Sequence, residues 1–336
     1  MAEFTPSTDR LATVFGGSGF IGRHIVRALA RDGWRIRVAV RRPDLAGFLR
    51  PLGVVGQIEL VQANLRYPES IAAALEGANA AVNAAGIQRQ TGRQTYEAVH
   101  SAGAGAIARA TTTVGIKALV HVSGLGADAR SPNAYIASKG LGEDAVREAA
   151  PAAVILRPSV VFGPEDDFLN RFGALARALP ALPLFGGGAT KLQPVFVGDV
   201  ALATLAAISD PNTAGGVYEL GGPEVLTLRE IATLTLRIVE RRRALVALPF
   251  GLAKLIAGST EIASAMTFGK FPPKVLTTTR DQVELLRHDN LVSAAATADG
   301  RTLRGLGISA QGIEAVAPSY LYRFRKTGQY AARRLA

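Results

Sequence analysis

The stretch that most constrains this chain is Leu11 to Arg31, LATVFGGSGFIGRHIVRALAR. Leu11 to Phe15 is a short apolar run of strand formers. Gly16-Gly17-Ser18-Gly19 interrupts it, and apolar residues resume with helical spacing at Ile21, Ile25, Val26 and Leu29. A strand, a glycine turn and a helix in that order form the opening of a dinucleotide-binding fold. The helix N-terminus offers unpaired N–H groups and the positive end of its dipole to a phosphate. In that role Gly16 permits the tight turn, Gly19 leaves bare backbone for a pyrophosphate, and Gly22 lets the helix pack close on the sheet. Gly16, Ser18, Gly19, Phe20, Ile21 and Gly22 are therefore candidate cofactor-binding residues. A plain strand-to-helix turn does not need three glycines at this spacing.

A chain of 336 residues, 48% of them hydrophobic, builds a large core with ease. The expected fold is α/β: a Rossmann-type, doubly wound parallel sheet over residues 1–163, then a smaller C-terminal α+β lobe over 164–336, with the sheet partly shared. The absence of cysteine removes disulfides and thiolate metal sites, and the four histidines are scattered without metal-ligand spacing. No stretch reads as a secretory signal or a membrane span, so a soluble or peripheral protein on the cytoplasmic side is expected. The formal net charge of +11 favours acidic partners. Nucleic acid is not expected among them: the basic residues are dispersed, aromatics are only 6%, and no nucleic-acid-binding motif is present.

Trp34 to Val40 alternates as a second strand, and Arg41 and Arg42 stand at its carboxyl end. The adenosine ribose of a dinucleotide belongs there. An NAD site places an acidic residue at that point to meet the 2′-hydroxyl, whereas a guanidinium fork suits a 2′-phosphate. NADP(H) is therefore the expected cofactor, with a solvated basic strand end as the plainer alternative. Gln57 to Val61 reads as the third strand, Ile71 to Leu75 as a short helix, and Ala80 to Ala84 as the fourth strand. The small residues Ala84, Ala85 and Gly86 let a cofactor lie against the sheet edge. Thr95 to Thr113 reads as one long helix, and Lys117 to Ser123 as the fifth strand with Ser123 at its carboxyl end.

Asn133 to Ala149 is the next expected helix, and its Tyr135 and Lys139 share one face a turn apart. An ammonium near a phenol favours the phenolate and lowers its pKa, and the lysine also holds ribose hydroxyls. With Ser123 to orient a carbonyl, the three form a proton-relay set for hydride transfer from a nicotinamide. Ala153 to Arg157 reads as the sixth strand. After it come a helix over Leu169–Leu179, a loop at Gly186–Gly188, a short strand over Gln193–Val197 and a helix over Asp199–Ile208 capped by Asp199. Val217–Leu220 reads as a strand, and Thr227–Glu240 as an amphipathic helix with Thr227 and Glu230 as a capping box. Leu245–Met266 is mostly apolar. It suits a hydrophobic substrate or partner surface, or else a core helix pair broken at Pro249. The tail Leu321–Ala336 carries Arg323, Arg325, Lys326, Arg333 and Arg334 among aromatics. It reads as a foot on anionic lipid, a docking arm for an acidic subunit, or a frayed basic terminus.

As a set, Gly16–Gly22, Ser123, Tyr135, Lys139, RPSVVFGP (157–164) and QPVFVGDVA (193–201) resemble the extended and atypical short-chain dehydrogenase/reductases. That resemblance implies that Asn64 and Leu65 flank the adenine and adds Pro158 and Val160 to the cofactor residues. A narrower likeness spans nearly the whole chain, through Phe15–Val26, Arg50–Leu60, Leu119–Asp128, Phe162–Phe172, Leu276–Ser293 and Ala317–Tyr330. These pieces are similar to the short-chain-dehydrogenase-like, nucleotide-binding accessory subunits of respiratory complex I. For that family the resemblance implies tightly held NADPH and a structural rather than catalytic role. It also implies peripheral attachment near the quinone-reducing module, here on the cytoplasmic face of the inner (plasma) membrane. Many members depart from the Ser/Tyr/Lys set, which is intact here. Two other functions therefore stay open: a free NADPH-dependent reductase or isomerase of a small, largely apolar carbonyl, and a redox sensor that reads the cofactor without chemistry.

Overall fold

The computed structural model describes residues 10–252, 255 and 280–328. Seven strands form its main sheet: β1 (Leu11–Phe15), β2 (Arg35–Val40), β3 (Ile58–Gln62), β4 (Ala80–Asn83), β5 (Ala118–Val122), β6 (Val154–Pro158) and β7 (Val217–Leu220). Their order is β7-β6-β5-β4-β1-β2-β3, and every neighbouring pair is parallel. The order reverses between β1 and β4, which opens the crevice where doubly wound sheets bind ligands.

A parallel sheet is covered on both faces, so its central strands are buried and mostly apolar. All of β1 is buried. Its Ala12 and Val14 pack with Ile25, Val26 and Leu29 of α1 (Phe20–Arg31), and Ala201 of a later helix joins the same cluster. Phe15 packs on the opposite face with Ile71 and Leu75 of α2 (Pro68–Leu75), Ile107 of α3 (Ala102–Thr113) and Val146 of α4 (Ala134–Ala149). Thr13, fully buried on β1, donates to the Ala74 carbonyl at 2.7 Å, so the polar group in the core is satisfied. The helix bearing Ala201, α5, spans Val197–Ser209 and starts before the expected Asp199. Asp199 is therefore a buried first-turn residue and not the cap.

The long helix expected over Thr95–Thr113 is broken. Glu97–Ser101 is a π-helical turn, and α3 follows it. Inserting one residue into a turn rotates the side chains before it, and His100 of this turn is committed to partners outside the helix.

The chain divides into two units. The first comprises residues 1–158, 197–220 and 292–309; the second comprises 159–196, 221–291 and 310–336. The chain thus passes between the units several times.

The second unit has its own core around Phe162, Leu169, Leu182, Leu228, Ile231, Tyr320 and Leu321. Its helix Leu228–Ile238 begins with the expected capping box, Thr227 and Glu230 satisfying each other's orphan groups. Ala244–Leu248 is a strand paired in parallel with Ala181–Phe185, not the first half of a helix pair. The rest of the apolar Leu245–Met266 stretch lies largely outside the described residues, as does most of Leu276–Arg280. The described part of the basic tail is docked. Arg323 donates to Asn170 Oδ1 at 2.5 Å, and Arg325 donates to the Ile238 carbonyl at 2.9 Å and pairs with Glu240. Phe324 is buried. Arg323 and Arg325 are thus engaged within the second unit; Arg333 and Arg334 lie outside the described residues. No described helix is long and apolar enough to cross a membrane.

Candidate functional site

The glycine turn is built by close backbone approach. Gly16 sits at φ +73°, and a Cβ there would stand 2.7 Å from Ala85 Cα and 2.8 Å from the Ala84 carbonyl oxygen. A Cβ on Gly22 would run into the Gly16 carbonyl oxygen and lie 2.7 Å from Gly17 Cα. Gly19 differs: its Cβ would meet a single atom, Gly16 O at 3.2 Å. That contact is tight, but packing demands glycine less here than at Gly16 or Gly22, as expected if open space above the backbone is what matters. Gly19 is also the N-cap of α1 and supplies no side-chain cap, so the helix's first N–H groups are left for an anion. Ser18, Phe20 and Ile21 lie on this same turn.

The loop after β4 carries Ala84, Ala85 and Gly86 beside that turn. Ala84 N–H donates to Phe15 O at 3.0 Å, and Ala85 N–H donates to Asn83 Oδ1 at 3.1 Å. Asn83 Nδ2 lies 3.0 Å from His121 Nδ1, which assigns Nδ1 as the acceptor and leaves the proton on Nε2. That buried Nε2 has no partner among the described residues, and neither does the buried Ser123 hydroxyl two residues further along. Residues two apart on a strand face the same way, so both orphan groups belong to one side of the sheet's carboxyl edge.

The Asn133 side chain caps α4 by accepting from Tyr135 N–H and Ile136 N–H at 3.1 and 3.2 Å, which fixes Tyr135 in the first turn. Lys139 is buried, its ammonium 3.5 Å from Val122 O. A Cβ on Gly86 would lie 3.6 Å from both Lys139 Nζ and His100 Nε2. His100 accepts from Ile87 N–H at 3.0 Å, and its Nδ1 is 2.9 Å from Ser138 Oγ, which in turn donates to Tyr135 O at 2.7 Å. The ring stacks on Tyr96 and meets Tyr135 edge-on, with a centroid separation of 5.6 Å.

The electrostatics follow from burial. Desolvation pushes Lys139 down to about 8, partly opposed by Glu143 one turn along α4. Burial and then the Lys139 charge push both His100 and His121 down to about 3. Tyr135 departs from expectation: its phenol is raised, and burial is the cause. Glu143 itself is fully buried and held by Arg157 at 2.9 and 2.6 Å and by Arg147 at 3.0 Å.

The remaining candidates are less concentrated. Asn64 accepts from the backbone of Arg66 at 3.2 Å, and the Leu65 side chain lies close under Gly103 of α3. Pro158 ends β6 and accepts from Leu125 N–H, whereas Val160 belongs to the second unit. Arg41 and Arg42 are exposed beyond β2. Arg42 forks Asp44 at 3.0, 3.2 and 2.7 Å, while Arg41 makes no ion pair among the described residues. The sequence reading missed His100, Ser138 and His121. His121, two residues before Ser123 on a strand, carried the one available signal.

A sheet with this strand order, with a glycine cradle at its switch point and Ser, Tyr and Lys at its carboxyl edge, defines a dinucleotide-binding protein of the short-chain-dehydrogenase type. The family described as NAD dependent epimerase/dehydratase matches residues 12–221. NADH dehydrogenase (ubiquinone) 1 alpha subcomplex subunit 9 of Arabidopsis thaliana is 34% identical over 95% of this chain and 79% of its own length. A ceramide reductase of Caulobacter vibrioides is 37% identical over 60% of this chain and 62% of its own. The crystal structure of gox2253 superposes with a TM-score of 0.70 at 23% identity, covering 96% of this chain and 99% of that one. The chain therefore belongs to the NAD dependent epimerase/dehydratase family, in the branch of the alpha subcomplex subunit 9 of NADH dehydrogenase. Membership supports a nicotinamide cofactor and leaves NAD or NADP open.

Proposed function

We propose that this chain is an accessory subunit of respiratory complex I that holds NADP(H) mainly as a structural cofactor. The observation that carries the reading is a complete glycine cradle in a chain related along 95% of its length to a subunit of that complex. The residues present fit the dinucleotide. The turn at Gly16–Gly22 and the open N-terminus of α1 take the pyrophosphate. The unpaired Arg41 guanidinium takes the 2′-phosphate, and Lys139 beside Gly86 takes a ribose hydroxyl. The orphan Ser123 hydroxyl gains a partner from the nicotinamide side. Bound nicotinamide supplies hydride transfer; the raised Tyr135 phenol holds its proton tightly, which favours holding over turnover. The subunit sits peripherally near the quinone-reducing module, on the cytoplasmic face of the inner (plasma) membrane.

The test is native purification of complex I from solubilised membranes, with mass spectrometry of protein and nucleotide. This chain and NADP(H) should travel together with the complex. A chain that never co-migrates, or one carrying no nucleotide, overturns the reading.

One observation favours a second reading, an NADPH-dependent reductase of a small apolar carbonyl: Ser123, Tyr135 and Lys139 are all present, as in an enzyme of this type. In that case NADPH is oxidised with some member of a carbonyl panel, and Tyr135→Phe abolishes turnover with cofactor still bound. Silence across the panel removes this reading.

A further inference from the structure

Between β2 and β3 the first unit leaves four large apolar side chains in solvent. The 3-10 stretch Pro43–Leu52 turns Ala46 and Leu49 inward and leaves Leu45 and Phe48 66% and 49% exposed. The turn after it exposes Val54 at 44% and Val55 completely. Single exposed hydrophobics are ordinary, but four on one short segment form a patch.

The patch is held rigidly. Gln57 N–H donates to Val54 O at 3.1 Å, and Gly56 at φ +78° closes the turn. Val54 N–H donates to Gln57 Oε1 at 2.9 Å, and the buried Gln57 amide donates to Ala30 O and Trp34 O at 2.7 and 3.0 Å. The valine tip is thereby pinned to the C-terminal end of α1. Towards the N-terminal end of α1, Phe48 lies under the Arg23 guanidinium, 4.8 Å from the ring centroid. The patch therefore runs along α1, a helix about 18 Å long. On that helix and beside it, Arg27, Arg31 and Arg50 are exposed and make no ion pair among the described residues.

We infer that this face docks a protein partner presenting an apolar pocket rimmed by carboxylates. The inference rests on the accessory-subunit reading and names the surface that attaches the chain. A tip fixed before binding loses little entropy on docking, which favours a shaped pocket. Asp44 and Asp32 on this face already pair with Arg42 and Arg10, so the charges left over are arginine, the planar fork suited to carboxylates. Aromatic residues and arginine are enriched at protein interfaces and lysine is depleted. Residues 41–56 carry no Lys, Trp or Tyr, the residues a lipid interface favours.

The experiment expresses tagged full-length chain in its host and isolates complex I from solubilised membranes. Three variants are compared with wild type: Val55→Asp, Arg27→Glu and, as a control elsewhere on the unit, Val114→Asp, where the valine is 44% exposed. Wild type and Val114→Asp should co-migrate with the complex. Val55→Asp and Arg27→Glu should lose at least tenfold in co-migration while melting at an unchanged temperature. Wild type that never co-migrates fails the accessory-subunit reading itself. Variants that co-migrate like wild type overturn the surface assignment alone. Vesicles with a third anionic lipid, or a dimer of the free chain, would overturn it in favour of a membrane or a second copy if Val55→Asp abolished that association and spared the complex.

Discussion

The buried histidines make the first unit acid-sensitive in a way that can be worked out. His100 and His121 sit at about 3 in the folded chain, against 6.5 when free. The unfolded chain therefore binds more protons than the folded one everywhere between those values. Stability is full above pH 6.5 and falls as pH drops towards 3. Integrating from pH 7 to pH 5 gives a loss of about 2 kcal/mol per histidine, so about 4 kcal/mol for the pair. The assay is urea unfolding followed by Trp34, the only tryptophan, buried in this unit at 6% exposure. His100→Asn and His121→Asn keep a hydrogen-bonding side chain and remove the titration, so each should recover about 2 kcal/mol of that loss. Ring proton shifts should show neither histidine titrating above pH 5. A midpoint near 6.5 for His100 or His121, or variants with the same pH dependence as wild type, would refute the reasoning.

Other perturbations act on single contacts. Gly22→Ala drives a methyl into the Gly16 carbonyl, which is backbone and cannot yield. It should destabilise by about 1–3 kcal/mol and weaken dinucleotide binding at least tenfold in calorimetric titration. Glu143→Gln breaks a buried pair whose arginine, Arg157, is 22% exposed and so partly rehydrated. The expected loss is about 3 kcal/mol, the low end for buried pairs, or roughly 6–12 °C in melting temperature; a shift under about 2 °C would remove the ion cluster from the account. Arg41→Ala should weaken NADP(H) by tenfold or more and spare NAD(H), since a charge-assisted contact contributes about 1.5–3 kcal/mol. Arg42→Ala should do less, because Asp44 already occupies its fork. Equal loss of both cofactors on Arg41→Ala would overturn the 2′-phosphate assignment.

The main sheet was legible because each strand is a short apolar or alternating run ended by turn residues, and the seven strands lie where those runs fall. Gly16–Gly22 was legible for the same local reason, as was the capping box at Thr227 and Glu230. What stayed hidden depends on distant partners. The strand Ala244–Leu248 reads equally well as buried helix, since a short apolar run carries no period. Its partner lies some 60 residues earlier, at Ala181–Phe185. The π-turn at Glu97–Ser101 answers to Ile87 and Ser138, neither of which is a sequence neighbour of His100. Tyr135 and Lys139 were found by spacing, yet spacing does not report burial, and burial set the pKa of both.

That last point bears on what the intact Ser/Tyr/Lys set means. Lys139 is buried with its pKa lowered to about 8, so at neutral pH it remains a cation in a poorly solvated place. Ser123 and His121 add two orphan polar groups nearby. A fold with no ligand to satisfy would be more stable with apolar residues at all three. Under the proposed function the set is one half of a hydrogen-bonded site whose other half is the dinucleotide, whether or not anything reacts there. Holding and turnover part company only at Tyr135. A relay needs a phenol whose proton moves easily, and that requires the Lys139 charge to outweigh burial. In the free chain burial raises the Tyr135 phenol, the opposite direction from the one a relay needs. Lys139→Met should accordingly stabilise the free chain at pH 7, and the advantage should fade between pH 8 and pH 10.5 as the wild-type unfolded state surrenders its extra proton. The same change should weaken the dinucleotide. A destabilised Lys139→Met chain at pH 7 would mean that the lysine is held by the protein alone, and the site would lose its strongest mark of a missing partner.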